Sequence, residues 1–192
     1  RPDLAQICKT FYENCGVKFI TIPTNASLPE KIVKDIEQIL KLSPDLFLNI
    51  SLSLDGLGKK RDYIVGKDNT NISLLKTAQE IKKLQKRFSN LGLGVITTQT
   101  FANENQLEEI YEYAKNEMGA DNFGFNIARM DPEDKKEAQP DWEIYKKFAH
   151  KLSREERSST FKFPLSSIFT AKKNLVFRQM LKAHQERRYL TP

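Results

Sequence analysis

Apolar positions along the chain fall alternately at a spacing of three to four and at a spacing of two, and this pattern predicts its elements. Over residues 3–15, Leu4, Ile7, Cys8 and Phe11 sit at helical spacing, and Gly16 offers a stop. Lys18, Phe19, Ile20, Thr21 and Ile22 then read as a strand ended by Pro23. Pro29 opens a helix through about Leu42, with Ile32, Val33, Ile36, Ile39 and Leu40 on one stripe, and Ser43-Pro44 closes it. Residues 47–54 (FLNISLSL) form a second strand, apolar enough to sit between helix layers, and 55–71 a polar loop rich in Gly and Lys. A helix over 72–88 places Leu74, Leu75, Ala78, Ile81, Leu84 and Phe88 on one face. Strand 93–98, helix 104–117 and strand 122–127 follow, then a charged loop over 130–140. A helix over 141–155 is built on Trp142, Tyr145 and Phe148, and the less regular tail keeps helical periodicity over 165–187.

Strands separated by helices of a dozen or more residues imply βαβ units, hence an α/β fold with a parallel sheet and right-handed crossovers. Four strands cannot close an eight-stranded barrel. They fit either an open, flavodoxin-like sheet or part of an incomplete barrel. In both, chemistry gathers at the carboxyl ends of the strands. Four segments lie there: 23–26 (PTNA), 53–56 (SLDG), 98–103 (TQTFAN) and 126–129 (NIAR). Each places hydrogen-bonding side chains directly after an apolar strand. Together they suit a polar small molecule with ribose hydroxyls and charged ends, with Asp55 accepting from a diol.

The 192 residues, 39% apolar and 29% charged, fit one globular domain or part of a larger one. No run of about 18 apolar residues marks a membrane span. The chain begins Arg1-Pro2-Asp3, without an initiator Met or a leader, and reads as cut from something longer, cytoplasmic in setting. Two cysteines exclude a disulfide scaffold. Lys and Arg exceed Asp and Glu by 31 to 25, a net of +6. Lys82, Lys83, Lys86 and Arg87 lie on a helix exterior with acids between them, and no recognition module accompanies them, which argues against a nucleic-acid partner.

Familiar catalytic arrangements are missing. The chain has no G-x-S-x-G elbow and no P-loop, and Gly56-Leu57-Gly58 lacks the rest of a dinucleotide fingerprint. His150 and His184 fall in helix-period segments and read as surface residues. Cys8 and Cys15 share one helix at a spacing that matches no zinc or iron–sulfur pattern, and read as packing residues. Sequons begin at Asn25, Asn49 and Asn71, but nothing indicates export, and Asn49 falls inside a strand.

Read in series, Thr24-Asn25-Ala26 after FITIP, then Ser53-Leu54-Asp55-Gly56, then Asp62-Tyr63-Ile64-Val65-Gly66 resemble the core of radical S-adenosylmethionine (radical SAM) proteins, in the branch with a C-terminal SPASM or twitch region. Asn103 and Arg129 match the family's later strand ends, and the resemblance spans residues 1–155. It implies a partial (βα)6 TIM-like barrel with helices outside, of which this chain supplies the last four strands. Residues 156–192 would be a mostly helical extension toward a cluster region. The resemblance further implies a 4Fe-4S cluster, held by a C-x-x-x-C-x-x-C loop that these residues lack, and reductive cleavage of SAM to a 5′-deoxyadenosyl radical. The substrate would be a peptide or protein, and the chain alone is expected to be inactive.

By the same resemblance Ser53 and Asp55 would lie near the ribose and methionyl part of SAM, with Thr24 and Asn25 lining the mouth. Asn103 and Arg129 would border the adenine or substrate side. Ala26 stands in place of the family's Gly, Val65 in place of an Arg facing the SAM carboxylate, Asn71 in place of Phe, and Met130 in place of Gly. Two other readings of the residues remain: a non-enzymatic flavodoxin-like binding module, and a basic anion or nucleic-acid binder.

Overall fold

A computed structural model describes residues 2–66, 70–128 and 140–158, together with the single positions 175, 179 and 182. Its elements run α1 (Leu4–Cys15), β1 (Phe19–Thr24), α2 (Pro29–Leu42), β2 (Phe47–Ser53), α3 (Gly58–Val65), α4 (Thr70–Gln85), β3 (Leu91–Gln99), a 3-10 turn (Glu104–Gln106), α5 (Leu107–Asn116), β4 (Asn122–Ile127) and α6 (Trp142–Ser158). The helical periodicity over 165–187 lies outside the described residues.

The four strands form one parallel sheet in the order β1-β2-β3-β4. Each strand is the neighbour of the next, so right-handed crossovers carry α2, α4 and α5 to the same side. α1 packs on α2, and α2 on α4. The order contains no reversal, so these strands lack the switch point at which a flavodoxin-like sheet binds its ligand. The sheet is open, with β1 and β4 at its margins.

Side chains alternate across a strand, and parallel register keeps paired residues on one face. On the helix side lie Leu48, Ile50 and Leu52 of β2, Leu91, Leu93 and Val95 of β3, and Phe123, Phe125 and Ile127 of β4, all buried. Phe125 stacks on Tyr145 with centroids 5.0 Å apart and meets Phe148 edge-on at 4.8 Å, while Phe123 meets Tyr111 of α5 edge-on at 5.2 Å. The stripe Tyr145–Phe148 of α6 is therefore core, as its spacing predicts.

The opposite face differs. It carries Thr21 and Pro23 of β1, Asn49, Ser51 and Ser53 of β2, Gly92, Gly94, Ile96 and Thr98 of β3, and Asn122, Gly124 and Asn126 of β4. Phe19 and Phe47 stack at its amino-terminal end, 5.7 Å between centroids. Thr21 and Pro23 are exposed, and Ile96, Thr98, Asn122, Gly124 and Asn126 are half-buried. β2 is thus not sandwiched between two helix layers: Leu48, Ile50 and Leu52 face the helices, and Asn49, Ser51 and Ser53, with Phe47 at the amino-terminal end, line a face without helices among the described residues.

Several expected bounds move: β3 is longer at both ends (Leu91–Gln99), α4 is shifted to Thr70–Gln85, and α5 begins at Leu107 after the 3-10 turn. β1 runs through Pro23 to Thr24, because the bond from Phe47 N to Lys18 O (2.9 Å) with Phe19 opposite Phe47 turns residues 20, 22 and 24 toward β2 and leaves the proline nitrogen facing outward. The loop expected over 55–71 contains α3, bracketed by Gly58 and Gly66 at φ +57° and +68°. α6 continues past residue 155 to Ser158. Of the two cysteines, Cys8 is packed but Cys15 is exposed, so only the first is a packing residue.

Candidate functional site

At the end of β1 the chain turns on its own side chains. Thr24 Oγ1 accepts from Ala26 N at 3.2 Å, and Asn25 Oδ1 accepts from Ser27 N at 3.1 Å, an Asx turn. Ala26 between them is buried at φ +61°, a left-handed conformation that glycine adopts freely and alanine at a cost. From below, Thr77 Oγ1 of α4 shares its one hydrogen between Ser73 O at 2.8 Å and Ala26 O at 3.3 Å, a weak tie to the turn. This explains why the resemblance expects Gly at this position.

The ends of β2 and β3 are tied more tightly. Leu54 N reaches Ile96 O at 2.9 Å, and Thr97 Oγ1 donates to Leu54 O at 2.7 Å. Asp55 Oδ1 accepts from Thr98 N at 2.7 Å. Asn103, 0% exposed, knots the two tips: its Nδ2 donates to Asp55 O at 2.9 Å and to Thr98 O at 2.8 Å, and its Oδ1 accepts from Thr100 N at 2.8 Å. Beyond it, Gln99 Nε2 donates to Asp141 O at 2.9 Å and Glu104 accepts from Asp141 N at 2.8 Å, which docks the start of α6 on the tip of β3.

Arg61 of α3 joins the first two tips. It is 1% exposed, with Nη1 donating to Ser53 O at 2.8 Å and Nη2 to Asn25 O at 3.5 Å. Its Nε has no partner, and among the described residues no carboxylate lies within ion-pair distance of it. Burial pushes the guanidinium below its ordinary value, opposed by the charges of Asp55 and Asp62. Burial likewise pushes the Asp55 carboxyl above the usual aspartate range, opposed by the Thr98 N–H and by Arg61. Asp55 therefore lies within the field of a cation whose hydrogen bonds are spent on backbone.

Of the six residues expected to bind a cofactor, Thr24, Asn25, Ser53, Asp55 and Asn103 come together at one rim, linked through Arg61 and Asn103. Arg129 lies outside the described residues, as do Met130 and the side chain of Val65. The rim residues divide by what they have left to offer. The amide of Asn103 is spent on backbone, whereas among the described residues no donor reaches Asp55 Oδ2. Sequence reasoning missed Arg61, which stands in a run of bases (Lys59, Lys60, Arg61) that reads as solvated surface. Among the described residues, buried side-chain atoms without a partner include Arg61 Nε, Gln99 Oε1 at the last residue of β3, and Thr100 Oγ1 just after it. A ligand or ordered water would satisfy such atoms.

Among the described residues no group of three His, Cys, Asp or Glu could hold a metal ion. Nor is any described helix long and apolar enough to cross a membrane. A comparison with protein-family models finds no match to this chain, and a comparison with curated proteins finds no relative.

Proposed function

We propose that this chain is part of a radical SAM core, a partial barrel whose strand tips supply one side of a SAM site. The observation that carries the reading is the free oxygen of Asp55, held at the meeting of β2 and β3 and next to the polar face. The unbroken order of parallel strands and the left-handed turn at Ala26 also support it.

In this reading Asp55 Oδ2 accepts from the ribose hydroxyls or the amino group of SAM, while Thr98 N fixes its other oxygen. A carboxylate already held by one N–H donor needs little reorganisation when the ligand arrives. Ser53 and Thr24 border the same mouth, and the exposed side chain of Asn25 lies at its edge. Asn103 and Arg61 are positioning residues, since they hold the backbones on which Ser53, Asp55 and Asn25 stand.

The described residues do not suit an iron–sulfur cluster: they hold no metal-binding group, Cys8 is buried and Cys15 is alone at the surface. In radical SAM proteins the cluster supplies the electron that splits SAM; the residues described here serve binding and orientation. Calorimetric titration of SAM into the full-length protein tests the reading. Asp55→Ala is expected to weaken binding about tenfold, the loss of one charge-assisted hydrogen bond. Unchanged affinity would remove Asp55 from the site. Absence of both a brown cluster absorbance and 5′-deoxyadenosine after anaerobic reconstitution under reductant would overturn the reading as a whole.

A further inference from the structure

Below the rim, the polar face holds a second cluster that the SAM reading does not use. Asn49 of β2 and Asn122 of β4 reach toward each other across β3, with Asn122 Nδ2 donating to Asn49 Oδ1 at 3.0 Å. They can do so because β3 offers glycine on this face at both levels. A Cβ on Gly94 would meet Asn122 Oδ1 at 2.7 Å and Asn49 Nδ2 at 3.1 Å, and one on Gly92 would meet Asn49 Oδ1 at 2.9 Å. Two carboxamides joined by a single N–H···O bond leave one NH2 donor and one C=O acceptor unspent. Here these are Asn49 Nδ2 and Asn122 Oδ1, the same two atoms that lie against Gly94 where a side chain would otherwise stand.

The unspent donor belongs to a largely covered residue, yet the atom itself stays within reach of a ligand. Asn49 is only 5% exposed, and Ser51, paired with Gly94, is 7% exposed with a hydroxyl that bonds to nothing among the described residues. No charged side chain lies on the described strands of this face, and stacked Phe19 and Phe47 form its apolar end. A charged ligand would find no counter-ion here, while a purely apolar one would leave the amides unmet. A neutral group that donates and accepts at once satisfies both.

We propose that Asn49, Ser51 and Asn122 over Gly94 form a recognition site for a neutral carboxamide or peptide group, which accepts from Asn49 Nδ2 and donates to Asn122 Oδ1. The site stands on the polar face alone and does not depend on SAM being the ligand at the rim.

The test is a titration of the full chain with N-acetylglycinamide, followed by NMR of the asparagine side-chain amides and the Gly94 N–H. The expected result is saturable shifts at Asn49, Asn122 and Gly94. They should weaken about tenfold in Asn122→Ala, the equivalent of one hydrogen bond. In Gly94→Ala, where a methyl displaces the amide pair, they should be lost. Acetate at the same concentrations should produce no saturable shift. Should Gly94→Ala fail to fold, Asn122→Ala together with the acetate comparison decides the matter. Absence of saturation, shifts that survive in the folded variants, or equal binding of acetate would each overturn the proposal. None of these outcomes bears on SAM binding, because the probe contains no part of that molecule.

Discussion

On the helix side of the sheet, Phe125 of β4 lies between Tyr145 and Phe148 of α6; one residue further along the same strand, Asn126 lies half-buried on the side without helices. The two faces are printed by the same strands in strict alternation, yet one is mainly aromatic and aliphatic and the other mainly amides, hydroxyls and glycines, with Pro23 and Ile96 among them and Phe19 and Phe47 at its end. A sheet needs only one apolar face to fold against helices. The second face of these strands is therefore free of that demand, and the packing groups and the polar groups stand on opposite sides of the same backbone.

The sharpest way to break this comparison is to cut matching side chains from the two faces. Phe125→Ala should cost about 3–5 kcal/mol in denaturant unfolding, since it opens a cavity among close-packed rings. A cost near that of a surface substitution would show that α6 does not bear on the sheet as described. Asn103→Ala comes next, at about 2–3 kcal/mol, because it strands two carbonyls and an N–H where the two tips meet. A loss of SAM binding with no loss of stability would instead make Asn103 a ligand contact.

Smaller effects sharpen the picture. Ala26→Gly should raise stability by about 0.5–1 kcal/mol, as relief of the left-handed strain exceeds the extra backbone entropy of glycine. A higher denaturant midpoint at unchanged m-value would show it. Ser51→Ala, on the polar face, should shift stability by less than about 0.5 kcal/mol, since no protein bond is lost; a larger cost would mean that this face is packed rather than open.

The effect of Asp55→Asn depends on pH. Because burial raises the Asp55 carboxyl, the folded protein holds this proton more tightly than the unfolded chain does. The group's contribution to stability is thus fully present below the ordinary aspartate range and is lost as pH rises through the raised value. The variant should be more stable than the parent at neutral pH, with the gain shrinking on acidification. A gain of the same size at every pH would assign it to something other than the charge.

Much of the fold was legible because it rests on periodicity. The stripes Ile36–Ile39–Leu40 and Leu74–Ala78–Ile81 and the run over 47–54 each carry their own pattern, and all three are where they were expected. α3 was not legible: its eight residues, GKKRDYIV, include four charged ones and no apolar stripe, and its glycine brackets read as loop. The rim was half legible. Polar residues after apolar strands announce strand ends, so Thr24, Asn25, Ser53, Asp55 and Asn103 could be gathered from the sequence. That Asn103 is spent as a knot and Arg61 as a clamp depends on which backbone atoms fall within reach, and local pattern does not carry that. The polar face was hidden for a different reason. Asn49 and Asn122 become neighbours only through the register of three strands, with a glycine between them.

Pro23 has a consequence for how a further strand can pair with β1. Along the outer margin of β1, the outward-facing positions are Phe19, Thr21 and Pro23, and the last has no hydrogen to give. An extended segment aligning there can find donors along the amino-terminal half of the strand but loses the ladder beside Pro23. The imino acid thus works as a stop that limits how far any extended segment can zip along this margin.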